Sequence, residues 1–167
     1  MELLFYGGIG LGMFMVSEVG AYVWHRWFAH QDIISMVRKT HDIHHKVIKD
    51  KAHGDFFFVL ILLSLYLGCL LFLYFYYYIN VYLLLSLYIP VFLTFTFSYY
   101  LHTAFHTEDH WLNEYEWFRN DKRIHFQHHV NEGKNYGIVT HYTDLLLDTF
   151  DSGFPIHNLG NNVEENE

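Results

Sequence analysis

The sequence predicts an all-α membrane protein: about three transmembrane or membrane-embedded helices that carry a histidine-rich helical cap on their cytosolic side. Three observations carry that prediction. Of 167 residues 52% are apolar and 20% aromatic, against only 17% charged, a balance that leans towards the bilayer. The apolar residues lie in long blocks, and residues 56–101 contain no Asp, Glu, Lys or Arg at all. The ten Lys and Arg residues all fall in two segments, 26–51 and 119–134.

The elements follow in chain order. Residues 3–24 are long enough for one crossing, since a bilayer takes roughly 20 apolar residues. Glycines at 7, 8, 10, 12 and 20 and the acid Glu18 make this the least greasy of the three, and they are expected to permit close helix contact. An interfacial or re-entrant helix is the alternative. The stretch has no basic residue before Arg26, so it lacks the n-region of a signal peptide and is expected to stay in the mature chain. Residues 56–101 hold two more crossings. Asn80 is the natural hairpin tip, with Tyr76, Tyr77, Tyr78 and Tyr82 around it as an interfacial belt, and Pro90 should kink the second crossing.

By the positive-inside rule both basic segments face the cytosol, and a two-crossing hairpin between them returns the chain to the side it left. Charge bias and crossing count therefore agree. Residues 1–159 are expected to form one domain and residues 160–167 a polar acidic tail. The formal charge of −8 argues against a nucleic-acid partner. Cys69 is the single cysteine, which excludes a disulfide framework and a cysteine-based zinc site. A metal bound here would need nitrogen and oxygen ligands.

The chain has fourteen histidines, and ten of them form four clusters. "HRWFAH" holds His25 and His30, "HDIHH" holds His41, His44 and His45, "HTAFH" holds His102 and His106, and "HFQHH" holds His125, His128 and His129. Positions i, i+3 and i+4 share a helix face, so each H-x2-H-H presents three imidazoles together, and the i, i+4 pair His102 and His106 does likewise. The i, i+5 pair His25 and His30 is turned by roughly 140° and converges only if the helix ends or bulges between them. One first-row ion takes four to six ligands, so ten imidazoles point to a dinuclear centre. Imidazole suits zinc, copper, iron and nickel alike. Of the other histidines, His110 and His141 are reserve ligands, and His53 and His157 are surface residues.

The order H-x4-H, H-x2-H-H, H-x3-H, H-x2-H-H resembles the fatty acid hydroxylase/sterol desaturase superfamily of membrane-bound di-iron oxygenases. The segment "NYGIVTHYTDLLLDTF" is similar to that family's closing pattern, here Asn135, Tyr136, Gly137, Thr140, Asp144 and Thr149. It departs at Asp148, where many members have Gly, and the effect is expected to be local. The closing segment carries no metal-ligand logic of its own.

The resemblance implies two iron ions, with zinc able to substitute, held by the ten clustered histidines, and O2-dependent hydroxylation of a fatty acyl, sphingolipid or sterol substrate. It also implies a separate electron donor, cytochrome b5-like or a ferredoxin/reductase pair, and an endoplasmic reticulum-type membrane in a eukaryote. Asp42, Asp55, Glu108, Asp109 and Asp144 are the acids expected to fix ring orientations. Two alternatives stand beside this reading. Beta-carotene hydroxylases are similarly small and share an acid seven residues before the first histidine, as Glu18 precedes His25. A metal-binding membrane protein without oxygenase activity is the other, although transport favours ionisable groups within the crossings and residues 56–101 have none.

Overall fold

The computed structural model describes residues 2–46 and 53–153, with side chains in the third helix from residue 60 onward. The expectations about the side chains of Asp55 and His53, about His157 and about the tail at 160–167 lie outside what is described. Among the described residues every regular element is helical.

Helix α1 (Glu2–Val23) runs directly into a π-helical segment, Trp24–Ala29. Helix α2 (Ser35–Lys46) follows, then α3 (His53–Tyr77) and α4 (Val81–Phe105). A 3₁₀ turn (Trp111–Glu114) leads to α5 (Glu116–Val130), and a short α6 (Tyr142–Leu146) lies near the end. Three stretches, Glu2–Ala29, Leu60–Tyr77 and Val81–Phe105, are long and apolar enough to cross a membrane.

The spans have the inside-out surface that lipid demands. Leu3, Leu65, Phe72, Phe75 and Leu93 are exposed, whereas few residues turn inward, among them Leu63 and Leu70 on α3 and Leu84, Thr94 and Leu101 on α4. With lipid as apolar as Leu, contact between spans must come from close packing and hydrogen bonds. Accordingly α1 packs chiefly on α4, where Ser17 Oγ donates to Thr94 Oγ1 at 2.8 Å, and α3 packs on α4, where Tyr66 Oη donates to the Leu87 carbonyl at 3.1 Å. The expectation that the glycines of α1 serve close contact holds only at Gly10, whose position faces Pro90 and the Ser86 carbonyl; a Cβ at 7, 8, 12 or 20 would meet nothing within 4 Å.

The hairpin turns at residues 78–80. Asn80 is the N-cap of α4, its side chain accepting from the Tyr82 amide at 2.8 Å. Tyr76, Tyr77, Tyr78 and Tyr82 gather there, all exposed. Helix α4 stays helical through Pro90. At its other end Leu101, Ala104 and Phe105 join Leu112 and Phe118 in a buried cluster, with Ile138 and Val139 packed against it. That cluster seats α5 beside the end of α4, which is what brings the last histidine motif to the third.

Candidate metal centre

The ten clustered histidines meet in one place, and they divide into two groups of five. His25, His30, His41, His45 and His128 form one; His44, His102, His106, His125 and His129 form the other. Within each group one nitrogen per ring lies within 4.8 Å of every other, and each group could hold a metal ion.

The division explains the repeated motif. On α2 the i, i+4 pair His41 and His45 faces the first group while His44 faces the second; on α5 the i, i+4 pair His125 and His129 faces the second group while His128 faces the first. Each H-x2-H-H therefore presents three rings on one face, as its spacing predicts, but serves both groups. The span-end pairs complete them, His25 and His30 for the first and His102 and His106 for the second. The H-x4-H spacing works because the helix passes through the π segment Trp24–Ala29, which brings the rings of His25 and His30 to 5.2 Å.

The nitrogens are close. In the first group Nε2 of His30 is 2.9 Å from that of His128 and 3.0 Å from that of His41, and His45 and His41 are 3.0 Å apart. In the second, His44 and His102 are 2.9 Å apart, His106 and His125 2.8 Å, and His129 and His125 3.1 Å. Burial, reinforced by neighbouring imidazoles, holds His41, His125 and His128 well below the usual histidine pKa. His30 and His129 are lowered to about 2 and His45 to about 4, again mainly by burial. All six are neutral at physiological pH, the form a metal ligand requires.

Outer contacts orient the rings. His25 Nδ1 lies 2.7 Å from the Tyr136 carbonyl, which leaves its buried Nε2 without a hydrogen-bond partner and directed to the first group. His128 Nδ1 lies 2.6 Å from the Lys134 carbonyl. Glu132 spans two rings, with Oε2 3.4 Å from His30 Nδ1 and Oε1 3.7 Å from His45 Nδ1. Buried, neutral nitrogens converging twice, with the outer nitrogens of His25 and His128 turned to carbonyls and those of His30 and His45 to a carboxylate, fit metal ions better than any pairing among themselves.

A family model described as fatty acid hydroxylase matches residues 10–149. The chain belongs to the fatty acid hydroxylase family. No curated protein and no solved structure gives a significant match.

The closing segment of this fatty acid hydroxylase family member supplies none of the ten grouped ligands, as expected, but it braces the first group through the Tyr136 carbonyl beside His25. Asn135 takes a left-handed φ of 56° and is fully buried; its side chain donates to the Asp151 carbonyl at 2.8 Å and accepts from the Asp151 amide at 2.7 Å. Tyr136 supplies the carbonyl for His25. Gly137 has no room for a side chain, since a Cβ there would run into the Thr140 carbonyl and lie 2.8 Å from Asp144 Oδ2. Asp144 accepts from the amides of Tyr136 (2.9 Å) and Gly137 (2.7 Å) and from Thr149 Oγ1 (2.8 Å). Thr140 Oγ1 donates to Glu18 Oε2 at 2.6 Å, and Thr149 meets Tyr22 Oη at 3.0 Å, so the segment is tied back to α1.

The other expected acids act differently. Asp42 pairs with Arg38 at 2.7 Å, and Glu108 and Asp109 are exposed. Asp144 reaches His25 only through the Tyr136 backbone. His110 caps the 3₁₀ turn, accepting from the Leu112 amide at 3.3 Å, and His141 pairs with Asp121 at 3.5 Å; neither joins a group. Sequence reasoning missed Glu132, whose only signal is its place three residues after the last ligand. Beside the groups lies a mostly apolar cavity of ≈ 90 Å³, walled by His25, His41 and His102 on one side and by residues including Trp24, Phe95, Ile138 and Val139 elsewhere.

Proposed function

We propose that the chain is an O2-dependent lipid hydroxylase with two irons, one held by His25, His30, His41, His45 and His128 and the other by His44, His102, His106, His125 and His129. The observation that carries this reading is the pair of five-imidazole groups adjoining an apolar cavity at the ends of the spans, in a chain of this family. Bound iron would supply the activation of O2 needed to turn an unreactive C–H bond into C–OH. Zinc would occupy the same nitrogens without that redox chemistry.

The protein's own part is binding and exclusion. Neutral imidazoles on α2, α4, α5 and the π segment hold their lone pairs towards two points, and in the first group the Tyr136 and Lys134 carbonyls and Glu132 fix the outer nitrogens of His25, His128, His30 and His45. The apolar wall of Trp24, Phe95, Ile138 and Val139 admits an alkyl or ring portion of a lipid and keeps water away from it. Entry is lateral, from the bilayer between α1 and α4. Electrons would come from a separate donor, cytochrome b5-like or a ferredoxin/reductase pair, docked on the cap. The cap faces the cytosol, with residues 1–159 acting as one domain, and the membrane is of endoplasmic reticulum type in a eukaryote.

Lipid extracts of cells with and without the chain, compared by mass spectrometry, test this: a product heavier by one oxygen is expected, and its class names the substrate. His128→Ala should abolish that product while leaving membrane insertion intact. Iron near two per chain after growth in iron is expected; one ion or none would refute the dinuclear reading.

A further inference from the structure

The cavity beside the histidines is mostly apolar, and besides three tyrosines and a tryptophan its lining includes two polar side chains that the metal groups do not use, Glu18 and Ser98. Glu18 is 6% exposed, and while its Oε2 accepts from Thr140, its Oε1 is buried with no hydrogen-bond partner. Ser98 Oγ is likewise buried and unpartnered. This departs from the habit of serines in these spans, since Ser64 and Ser86 turn back to donate to the carbonyls four residues earlier, each at 2.7 Å. Both residues line the cavity. Their helices run side by side here, for Ser17, next to Glu18, donates to Thr94, one helical turn from Ser98.

A buried carboxylate oxygen and a buried hydroxyl are costly to leave unsatisfied, more so within a membrane. Together they offer one acceptor and one group able to donate. A carboxylic ester leaves the acceptor empty, and an alkyl chain or a carotene leaves both empty. An alcohol satisfies both.

We infer that the lipid substrate carries a hydroxyl group, which docks by donating to Glu18 Oε1 and accepting from Ser98 Oγ. The inference rests on the reading of this cavity as the substrate site. It also sets a distance. Ser98 precedes His102 by one turn, about 6 Å along the helix, and Glu18 precedes His25 by about 10 Å. The oxidised carbon is therefore a short chain or one ring system away from that hydroxyl, and is not the carbon bearing it.

Native mass spectrometry of the purified full chain, without turnover, tests the inference with two matched pairs of probes: 1-octadecanol against 1-methoxyoctadecane, and cholesterol against its 3-methyl ether. At least one alcohol should bind about tenfold or more tightly than its ether, as loss of a hydrogen bond to a charged group implies, and the pair that shows it tells a chain hydroxyl from a ring hydroxyl. Glu18→Gln, which puts an amide N–H into the cavity in place of the acceptor, should lose the preference for alcohol over ether. Ser98→Ala should reduce it several-fold and gives a second reading should Glu18→Gln not fold. Equal binding of alcohol and ether in both pairs, or a preference that survives both substitutions, would overturn the inference. Selective binding with no lipid oxidised in cells would refute the proposed reaction instead and leave the hydroxyl site standing.

Discussion

Replacing Asp144 with Asn changes one atom at a residue that touches no histidine, yet it should disturb the first metal group. The carboxylate accepts three hydrogen bonds, from the Tyr136 amide and Thr149 hydroxyl on Oδ1 and from the Gly137 amide on Oδ2, and is 0% exposed. An amide cannot reproduce that. With its oxygen in place of Oδ1, its NH2 meets the Gly137 amide; turned over, it meets the Tyr136 amide, and only the Thr149 hydroxyl can rotate to adapt. Either way one backbone N–H faces another donor. Losing a charge-assisted hydrogen bond costs about 1.5–3 kcal/mol, and leaving a buried N–H unsatisfied a further 1–3 kcal/mol or so. About 3–5 kcal/mol is the expected loss, because both effects fall on one rigid loop. Tyr136 also supplies the carbonyl 2.7 Å from His25 Nδ1, so a shift of that peptide turns the His25 ring. Thermal unfolding of the detergent-purified protein followed by circular dichroism, with metal counted per chain, is the assay. A lowered midpoint together with weakened retention at one of two sites is expected. Full metal content with a stability loss under about 1 kcal/mol would refute the argument that Asp144 frames the site.

Other predictions read different features. Asp148 sits at φ 55°, a conformation that glycine adopts freely, so Asp148→Gly should leave the fold unchanged or stabilise it by up to about 1 kcal/mol, while Asp148→Val should destabilise it by more than that; melting temperatures decide, and a Val variant as stable as the parent would sink the assignment. Glu132→Gln should weaken one metal site about tenfold in a chelator titration and spare the other, because its carboxylate faces His30 and His45, both of the first group. The metal-free chain should lose stability with acid. His45 titrates near 4 when folded but near 6.5 when unfolded, so its contribution is fully present above about 6.5 and is lost as pH falls towards 4. His30 and His129 carry the same decline to lower pH, and a melting temperature flat from pH 7 to 4 would contradict it.

How much of this was legible in the sequence follows from the range of each interaction. The spans were readable because lipid imposes length and composition locally, and Asn80 was readable as the tip because a cap is a local device. The H-x2-H-H faces were readable for the same reason, and so was the need for a bulge between His25 and His30. What escaped was set by packing across the fold. Spacing says that His41, His44 and His45 share a face, but not that His44 parts from its neighbours to join His102. Gly7, Gly8, Gly12 and Gly20 suggested close contact, yet only Gly10 lies where α1 and α4 approach. Glu132 lies in a loop without periodicity, and its partners are far away in sequence. Asp144 was legible as a residue with a role, though the role passes through a carbonyl that no side-chain pattern reveals.

The division of each H-x2-H-H between two groups has a physical consequence that separate ligand sets would lack. His44 is flanked on α2 by rings of the other group, and His128 is similarly placed on α5, so neither group can shift without moving a helix that the other also uses. Neighbours three and four apart on a helix lie about 5–6 Å apart at Cβ, so the spacing of the two groups is fixed by the backbones of α2 and α5 and not by flexible loops. Two ions bound there would be held at a set separation even while substrate comes and goes. It also means that emptying one group should loosen the other. Metal titrations of the chain should therefore show positive coupling between the sites, and His44→Ala, a loss from the second group alone, should weaken the first through α2. Two independent sites, each indifferent to the other's occupancy, would show that the shared helices are too pliable to transmit the constraint.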